Sequence, residues 1–575
     1  MGVEKDVGVT GTHPPDYADG SRRKSTEMIM NDDPERETDF MTRNGLNLKS
    51  FQRREGNSQG VVDLDRSMKA RHLNMIAIGG SIGAGFFVGS GSAFTRGGPG
   101  SVLICFSIMG VMIFNVVYAL GELAVMYPVS GGFYTYSMRF IDPSWGFAMG
   151  WNYVFQWLIV LPLELTVCSF TVGYWNDTVS VAVWITIFWA FIIFMNVFGT
   201  LGYAEEEFWA STFKLIATVL FMIIAVVLIC GGGPSRGIYS EYWGARLWYD
   251  PGAFQNGFRG FCSVFVTAAF AFSGTELVGL AAAESANPAK NLPSAIKQVF
   301  WRITLFYVLG LTLVGLLVSS TDERLLNASN PYSEGTSPFV LAGRDAGLTG
   351  FDSFMNVVIL VSVVSIGMSC VYGGSRTLTA LCQQGYGPKI FTYIDRSGRP
   401  LPSVVLNLAF GALAYVVLAS SGSVVFDWLL ATSGLAALFT WGSICFAHIR
   451  FRQAWSRQGR SLDEIPFKHI FGVAGSWIGL ALVIIALVAQ FYSAIAPPFV
   501  DGLSDAEGFF KSYLALPVVI LFWIIGYAWK RQSFLKLDQI DLDVGRRQHD
   551  WDQIHAERRR VAALPTWRRA LHHTF

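Results

Sequence analysis

From Leu73 to Trp529 the chain alternates between long apolar runs and short polar connections. A run of 18 or more apolar residues with few charges is long enough to cross the hydrocarbon core of a bilayer. Ser101–Met126 has Glu122 as its sole acid, and Phe354–Cys382 has Arg376 as its sole charge. The pattern predicts about twelve helical spans, near 73–95, 101–126, 145–172, 179–198, 208–230, 258–283, 298–319, 354–382, 403–420, 426–448, 477–496 and 512–529. The expected fold is therefore an all-α membrane protein with a transmembrane domain over residues 73–529. Residues 1–72 and 530–575 are polar, charged and short of large apolar side chains, so both read as disordered tails. His549–Arg560 has the pattern of a surface helix.

An even number of spans puts both tails on one side, and Lys and Arg decide which. The tail-side connections carry Arg139, Lys290, Lys297, Lys389, Arg396, Arg399, Arg450, Arg452, Arg457, Arg460 and Lys468. The opposite side carries Arg96, Arg236, Arg246, Arg324, Arg344 and Lys511. Both tails are accordingly expected in the cytoplasm. The glycosylation triplets at Asn176 and Asn327 fall on the other side, in agreement, although such triplets are common by chance. The N-terminus lacks a basic segment followed by an apolar one, so no cleaved signal is expected and the first span serves as its own insertion signal.

Composition narrows the function. Of 575 residues, 52% are hydrophobic and 15% charged, and the net charge is +1, which gives no electrostatic case for a nucleic-acid partner. The seven cysteines sit in or beside apolar runs without CxxC spacing, so neither zinc nor a disulfide framework is indicated. No nucleophile–base pair, metal cluster or phosphate loop appears. The chain reads as no enzyme, with no cofactor and no metal.

Glycine marks the candidate site. The first span runs Gly79-Gly80-Ser81-Ile82-Gly83-Ala84-Gly85, with Gly89 and Gly91 beyond. Each glycine costs a helix roughly 1 kcal/mol relative to alanine, so unwinding is predicted near 80–85. The sixth span has a second weak point at Phe270-Ala271-Phe272-Ser273-Gly274-Thr275-Glu276. Interrupted spans in corresponding positions of two halves point to a transporter's central site. Spans one and six correspond if two five-helix repeats are followed by two extra helices. A half-helix N-terminus holds a carboxylate on free N–H groups, and the freed carbonyls opposite accept from an ammonium, so such a break suits a zwitterion. Close helix packing through small residues is the alternative reading.

Ionisable residues within a span are costly and point to function. Glu122, Glu164, Lys214, Glu276, Arg302 and Arg376 are the candidates. The two arginines are expected near helix ends, where arginine snorkels. Gln156, Val160 and Glu164 recur every four residues and share one face of the third span, either lining a cavity wall or forming a polar stripe in packing. Valine at 160 narrows the polar surface and favours a broad-range or neutral zwitterion over a cationic one. Lys214 either reaches the cytoplasmic interface or faces the bundle, where burial would favour its neutral form and fit it for proton exchange. Glu276 follows the second break directly, and braces it or binds substrate indirectly.

The run Arg71-His72-Leu73 through Ile76-Ala77-Ile78-Gly79-Gly80-Ser81-Ile82-Gly83-Ala84-Gly85 resembles the first helix of the fungal amino acid permeases, of the amino acid–polyamine–organocation superfamily. The likeness continues in order through Gly121-Glu122-Leu123, Pro128-Val129-Ser130-Gly131-Gly132-Phe133, Leu163-Glu164-Leu165, Glu207-Phe208-Trp209 with Lys214, Phe272-Ser273-Gly274-Thr275-Glu276 and Phe439-Thr440-Trp441-Gly442-Ser443, covering about residues 65–530. Ala84 and Phe86 depart from the threonine and leucine usual there, which removes a hydroxyl contact. The resemblance implies substrate binding by Ser81, Ile82, Gly83, Ala84, Gly85, Phe270, Ala271, Phe272, Ser273 and Gly274, with an aromatic gate near Phe270. It implies selectivity from the face of Gln156, Val160 and Glu164. It also implies proton coupling at Lys214, where sodium-driven relatives bind their cation, with Glu276 and Glu122 as further candidates.

The expected function is thus amino acid import by proton symport, at the plasma membrane. Two rivals share the fold: an amino acid sensor, which tends to carry a longer N-terminal extension, and a carrier of polyamines or other organic cations, which should show more acids facing the cavity. Removal by ubiquitin ligase machinery through Lys5, Lys24, Lys49 and Lys69 is also what the resemblance implies.

Overall fold

A computed structural model describes residues 41, 46–54, 68–128, 132–176, 178–285, 288–326, 337–419, 422–500, 502–531, 534–547 and 551–565. The helices are α1 (Ala70–Gly79), α2 (Ala84–Phe87), α3 (Gly89–Met126), α4 (Phe133–Phe140), α5 (Pro143–Gly173), α6 (Val181–Asn196) and α7 (Gly199–Ile229). They continue with α8 (Gly257–Phe272), α9 (Leu277–Ala283), α10 (Pro288–Arg302), a π-helical stretch Ile303–Gly310, α11 (Leu311–Leu317), α12 (Glu323–Leu326), α13 (Pro338–Asp345) and α14 (Phe351–Gln383). Last come α15 (Leu401–Phe410), α16 (Gly422–Arg457), α17 (Gly472–Ile495), α18 (Ala506–Tyr513), α19 (Ala515–Lys530) and α20 (Trp551–Ala562).

The chain is an all-α multi-span membrane protein. Among the described residues nine helical segments are long and apolar enough to cross a membrane, or ten if α18 and α19, bent by 64°, make one span. The count differs from twelve for physical reasons. The first predicted span is split by its glycines into α1, α2 and the start of α3, and the fourth is α6, only 16 residues long. Gly98 (φ 78°) turns the chain inside α3 just before Pro99, and a Cβ there would lie 2.6 Å from the Ala253 carbonyl. The left-handed backbone and the close approach both require glycine.

Within the bundle, α5 packs against α14, α16 and α19, and α3 packs against α8. The start of α5 is set by Asp142, whose carboxylate accepts from the Ser144 N–H at 2.9 Å, and by Pro143 in the first turn. α5 is buried on nearly every side, whereas α6, α7 and α17 leave Phe194, Trp209, Ile216, Ile223, Ile484 and Val488 exposed. An apolar belt of that kind is stable only against lipid.

Both predicted tails contribute packed segments. Ser50, buried, accepts from Arg399, and the Arg54 N–H donates to the Ile394 carbonyl. Ile540 and Leu542 are buried, and the Leu542 carbonyl accepts from Tyr127 Oη at 2.8 Å. Lys49 and Lys69 are exposed; Lys5, Lys24 and the Asn327 triplet lie outside the described residues, as does Asp177 of the other triplet.

Candidate substrate and coupling site

Both glycine-rich segments are broken. α1 ends at Gly79, Ser81–Gly83 are not helical, and α2 starts at Ala84. α8 ends at Phe272, and Ser273 to Glu276 form a turn before α9, with Gly274 at φ 88°. The two breaks touch: a Cβ on Gly85 would lie 2.7 Å from Ala271 Cα and 3.0 Å from the Phe270 ring. The N–H groups of Gly83, Ala84 and Gly85 have no hydrogen-bond partner among the described residues, as expected where a helix begins. Ser81, Ile82, Ala84, Gly85, Phe270, Ala271 and Gly274 thus belong to one buried junction.

The third-span face meets this junction. Gln156 Nε2 donates to Ser273 Oγ at 2.7 Å, while its Oε1 has no partner among the described residues. Val160 and Glu164 are buried on the same helix, and Glu164 Oε2 is likewise unpartnered. Buried polar atoms are normally satisfied, so these two acceptors mark the wall where a donor would be received. Phe272 is fully buried and stacks on Tyr307 with centroids 4.2 Å apart, whereas Phe270 retains slight exposure.

Lys214 lies on α7, fully buried, against the end of α1. Its Nζ donates to the Gly79 carbonyl at 3.2 Å and to Ser365 Oγ at 3.1 Å, and lies 3.6 Å from Glu207 Oε1. Glu207 in turn accepts from Ser211 and Ser365 hydroxyls, both at 2.5 Å. Sequence reading ended the polar connection at Phe208, but α7 starts at Gly199 and takes Glu207 inside. The one signal for this was its four-residue spacing to Ser211 and seven-residue spacing to Lys214, which puts all three on one face.

The remaining intramembrane charges divide. Glu276, at the second break, accepts from Trp441 Nε1 at 3.0 Å. Glu122 sits near the far end of α3 in a separate cluster: Arg452 Nε lies 2.5 Å and His448 Nε2 3.1 Å from it, and the His469 N–H donates to it at 2.7 Å. Arg376 is buried on Glu284 at 3.2 Å. Arg302 is fully buried rather than snorkelling, because its helix starts at Pro288, ten residues before the predicted span. Arg302 Nη1 donates to the Ala77 carbonyl at 2.9 Å and Nη2 to Thr275 Oγ1 at 2.6 Å. Tyr307 Oη lies 2.8 Å from the Ala271 carbonyl and 3.1 Å from that of Ser81.

The family model for amino acid permeases matches residues 72–539. The chain belongs to the amino acid permease family. This permease is 67% identical over 552 residues to the amino-acid permease inda1 of Hypocrea atroviridis, with 96% of each chain covered. It is 49% identical to the general amino-acid permease GAP1 of Saccharomyces cerevisiae, covering 88% of this chain and 85% of that one. It is 50% identical to the general amino-acid permease GAP2 of Candida albicans, covering 88% and 86%. The permease is a transporter of amino acids, not an enzyme.

Proposed function

We propose that the permease imports broad-range or neutral amino acids by proton symport with alternating access. Twelve crossings would form two inverted five-helix repeats plus two further helices, at the plasma membrane with both tails cytoplasmic. The substrate carboxylate is received by the N–H groups at Gly83 to Gly85, and its ammonium by the carbonyls at Phe270 to Phe272 and the acceptors Gln156 and Glu164. Lys214 carries the proton. The observation that supports this most is the contact of Lys214 with Gly79: a buried ammonium holds the end of α1 more tightly than a neutral amine would. Loss of the proton takes the charge out of that hydrogen bond, which weakens it and loosens the hold on the first break. Glu276 braces the second break through Trp441, and Glu122 contributes to a separate ion cluster rather than to this contact.

The test is uptake of a labelled amino acid panel in cells lacking their own permeases, at two external pH values. Accumulation of neutral amino acids that rises as external pH falls supports the reading. Accumulation independent of pH removes proton coupling. Uptake of polyamines in place of amino acids favours an organic cation carrier, and binding without uptake favours a sensor.

A further inference from the structure

Lys214 and Glu207 are both fully buried on α7, yet Nζ stands 3.6 Å from Glu207 Oε1, too far for a hydrogen bond. Ser365 of α14, also fully buried, closes the gap. Its Oγ accepts from Lys214 Nζ at 3.1 Å and donates to Glu207 Oε2 at 2.5 Å. A hydroxyl can accept and donate at once, so an unbroken chain of hydrogen bonds runs from the ammonium through Ser365 to the carboxylate. Ser211 donates to the other oxygen, Oε1, at 2.5 Å, but among the described residues no hydrogen bond joins it to Lys214.

Burial makes the two charges depend on each other. If Lys214 gave its proton to water, Glu207 would stay behind as a buried carboxylate without its counter-charge, which is strongly disfavoured. If the proton passes to Glu207, both groups become neutral and no lone charge is left.

We propose that Ser365 relays the proton between Lys214 and Glu207, which deepens, and rests on, the reading that Lys214 carries it. In the transfer an N–H bond of Lys214 breaks as an O–H bond forms on Ser365. The original Ser365 O–H bond breaks as one forms on Glu207 Oε2. Ammonium and carboxylate become amine and carboxylic acid, Ser365 ends as the hydroxyl it began, and nothing is oxidised or reduced. The hydrogen bonds then run the other way, from Glu207 through Ser365 to the lone pair of the amine, and the contact with Gly79 loses its charge in the same event. The titratable groups whose charges act on the pair are Glu206 and Tyr203 on α7 and Glu164 on α5. Among the described residues α1 and α14 bring only the uncharged Gly79 carbonyl and Ser365 hydroxyl to Lys214.

The experiment uses the full chain in proteoliposomes and whichever labelled amino acid the wild type takes up fastest. Counterflow, which needs no net proton movement, is measured beside substrate-driven proton entry, read by a pH-sensitive dye inside the vesicles. Ser365→Ala should keep counterflow and lose proton entry, and Ser365→Thr, which retains a hydroxyl, should regain it. Glu207→Gln keeps the shape and one acceptor but cannot take the proton; it should show the same loss, and it decides the matter if Ser365→Ala does not fold. Lys214→Met is run in parallel. Proton entry that survives in Lys214→Met would overturn the coupling reading and the relay together. Entry lost in Lys214→Met but unchanged in Ser365→Ala or Glu207→Gln would overturn the relay alone. Counterflow and proton entry falling by the same factor in Ser365→Ala, or no recovery in Ser365→Thr, would assign Ser365 to packing and overturn it as well.

Discussion

Lys214 Nζ donates to the carbonyl of Gly79 at 3.2 Å, joining the middle of α7 to the last residue of α1. That carbonyl lies at the negative end of a half-helix, where a cation is stabilised. The same ammonium faces Glu207, so three elements meet at one proton-bearing group: α1, α7 and, through Ser365, α14. Lys214→Met should abolish pH-dependent accumulation while leaving slow exchange. Removing one partner of a buried pair costs about 3–5 kcal/mol, so a drop in yield would have a second source. Adding Glu207→Gln should restore the yield without restoring accumulation. A Lys214→Met protein that still concentrates substrate with the same pH dependence would show that another group carries the proton.

The two glycines of the first break should respond differently to a methyl group. On Gly83 a Cβ would meet Ile366 Cγ1 at 2.5 Å, a side chain that can be shortened. On Gly85 it would meet Ala271 Cα at 2.7 Å and Ala271 N at 3.0 Å, which are backbone. Uptake by Gly83→Ala should therefore fall and recover partly when Ile366→Ala is added. No truncation should rescue Gly85→Ala, because relief there requires the two breaks to separate. Equal rescue of both variants would mean that the breaks are not held in contact during transport.

The first break was legible from glycine density, because the helix cost of glycine is local and additive along the chain, and the second from Gly274 set among small polar residues. For Lys214 the apolar run left two readings open, the interface or the bundle, and the contact with Gly79 places it in the bundle. What was hidden came from helix ends. Three successive glutamates, Glu205 to Glu207, read as a connection, yet α7 carries them within its first turns because Arg71 pairs with the first and two serine hydroxyls satisfy the third. Arg302 was misplaced for the same reason: polar residues 288–298 look like a loop, and only the partners Ala77 and Thr275, distant in sequence, make burial of a guanidinium tolerable. Satisfaction by remote carbonyls leaves no periodic trace.

The link between α12 and α13 should be insensitive to pH until acid conditions. Arg324 donates to Asp322 at 2.9 and 2.6 Å and to both Asp345 oxygens at 2.7 Å, tying α12 to the end of α13. Those hydrogen bonds from the guanidinium hold the Asp322 carboxyl below its usual range. A carboxyl whose folded value is depressed contributes stability above its unfolded value, about 3.9, and loses it as pH falls through the folded value. Amide exchange of α12 and α13, corrected for its intrinsic pH dependence, should stay constant from pH 7 to 5 and accelerate only under more acidic conditions. Acceleration beginning near pH 6 would assign the link to a different group.

Arg302 and Tyr307 should act as one brace on the two breaks. Residues five apart on an ordinary α-helix face about 140° away from each other. Here the π-helical stretch from Ile303 to Gly310 widens the turn and brings them nearer to one face. From that face Arg302 reaches Ala77 and Thr275, and Tyr307 reaches Ser81 and Ala271, so each side chain spans from the first break or the last turn of α1 to the second break or the last turn of α8. Tyr307→Phe keeps the stacking on Phe272 but removes the one O–H proton that the Ala271 and Ser81 carbonyls share, at about 1–3 kcal/mol. The Michaelis constant should rise by roughly fivefold to a hundredfold, by the usual conversion of 1.4 kcal/mol per decade, with the amount at the surface unchanged. Arg302→Lys keeps the charge but loses the fork that serves two acceptors at once, and should produce a defect of similar direction. Combining the two changes should cost less than the sum of their separate effects, because a brace already released from either break no longer holds them in register. Strict additivity of uptake defects in that double-mutant cycle would mean that Arg302 and Tyr307 support the breaks independently, and the single-brace account would fall.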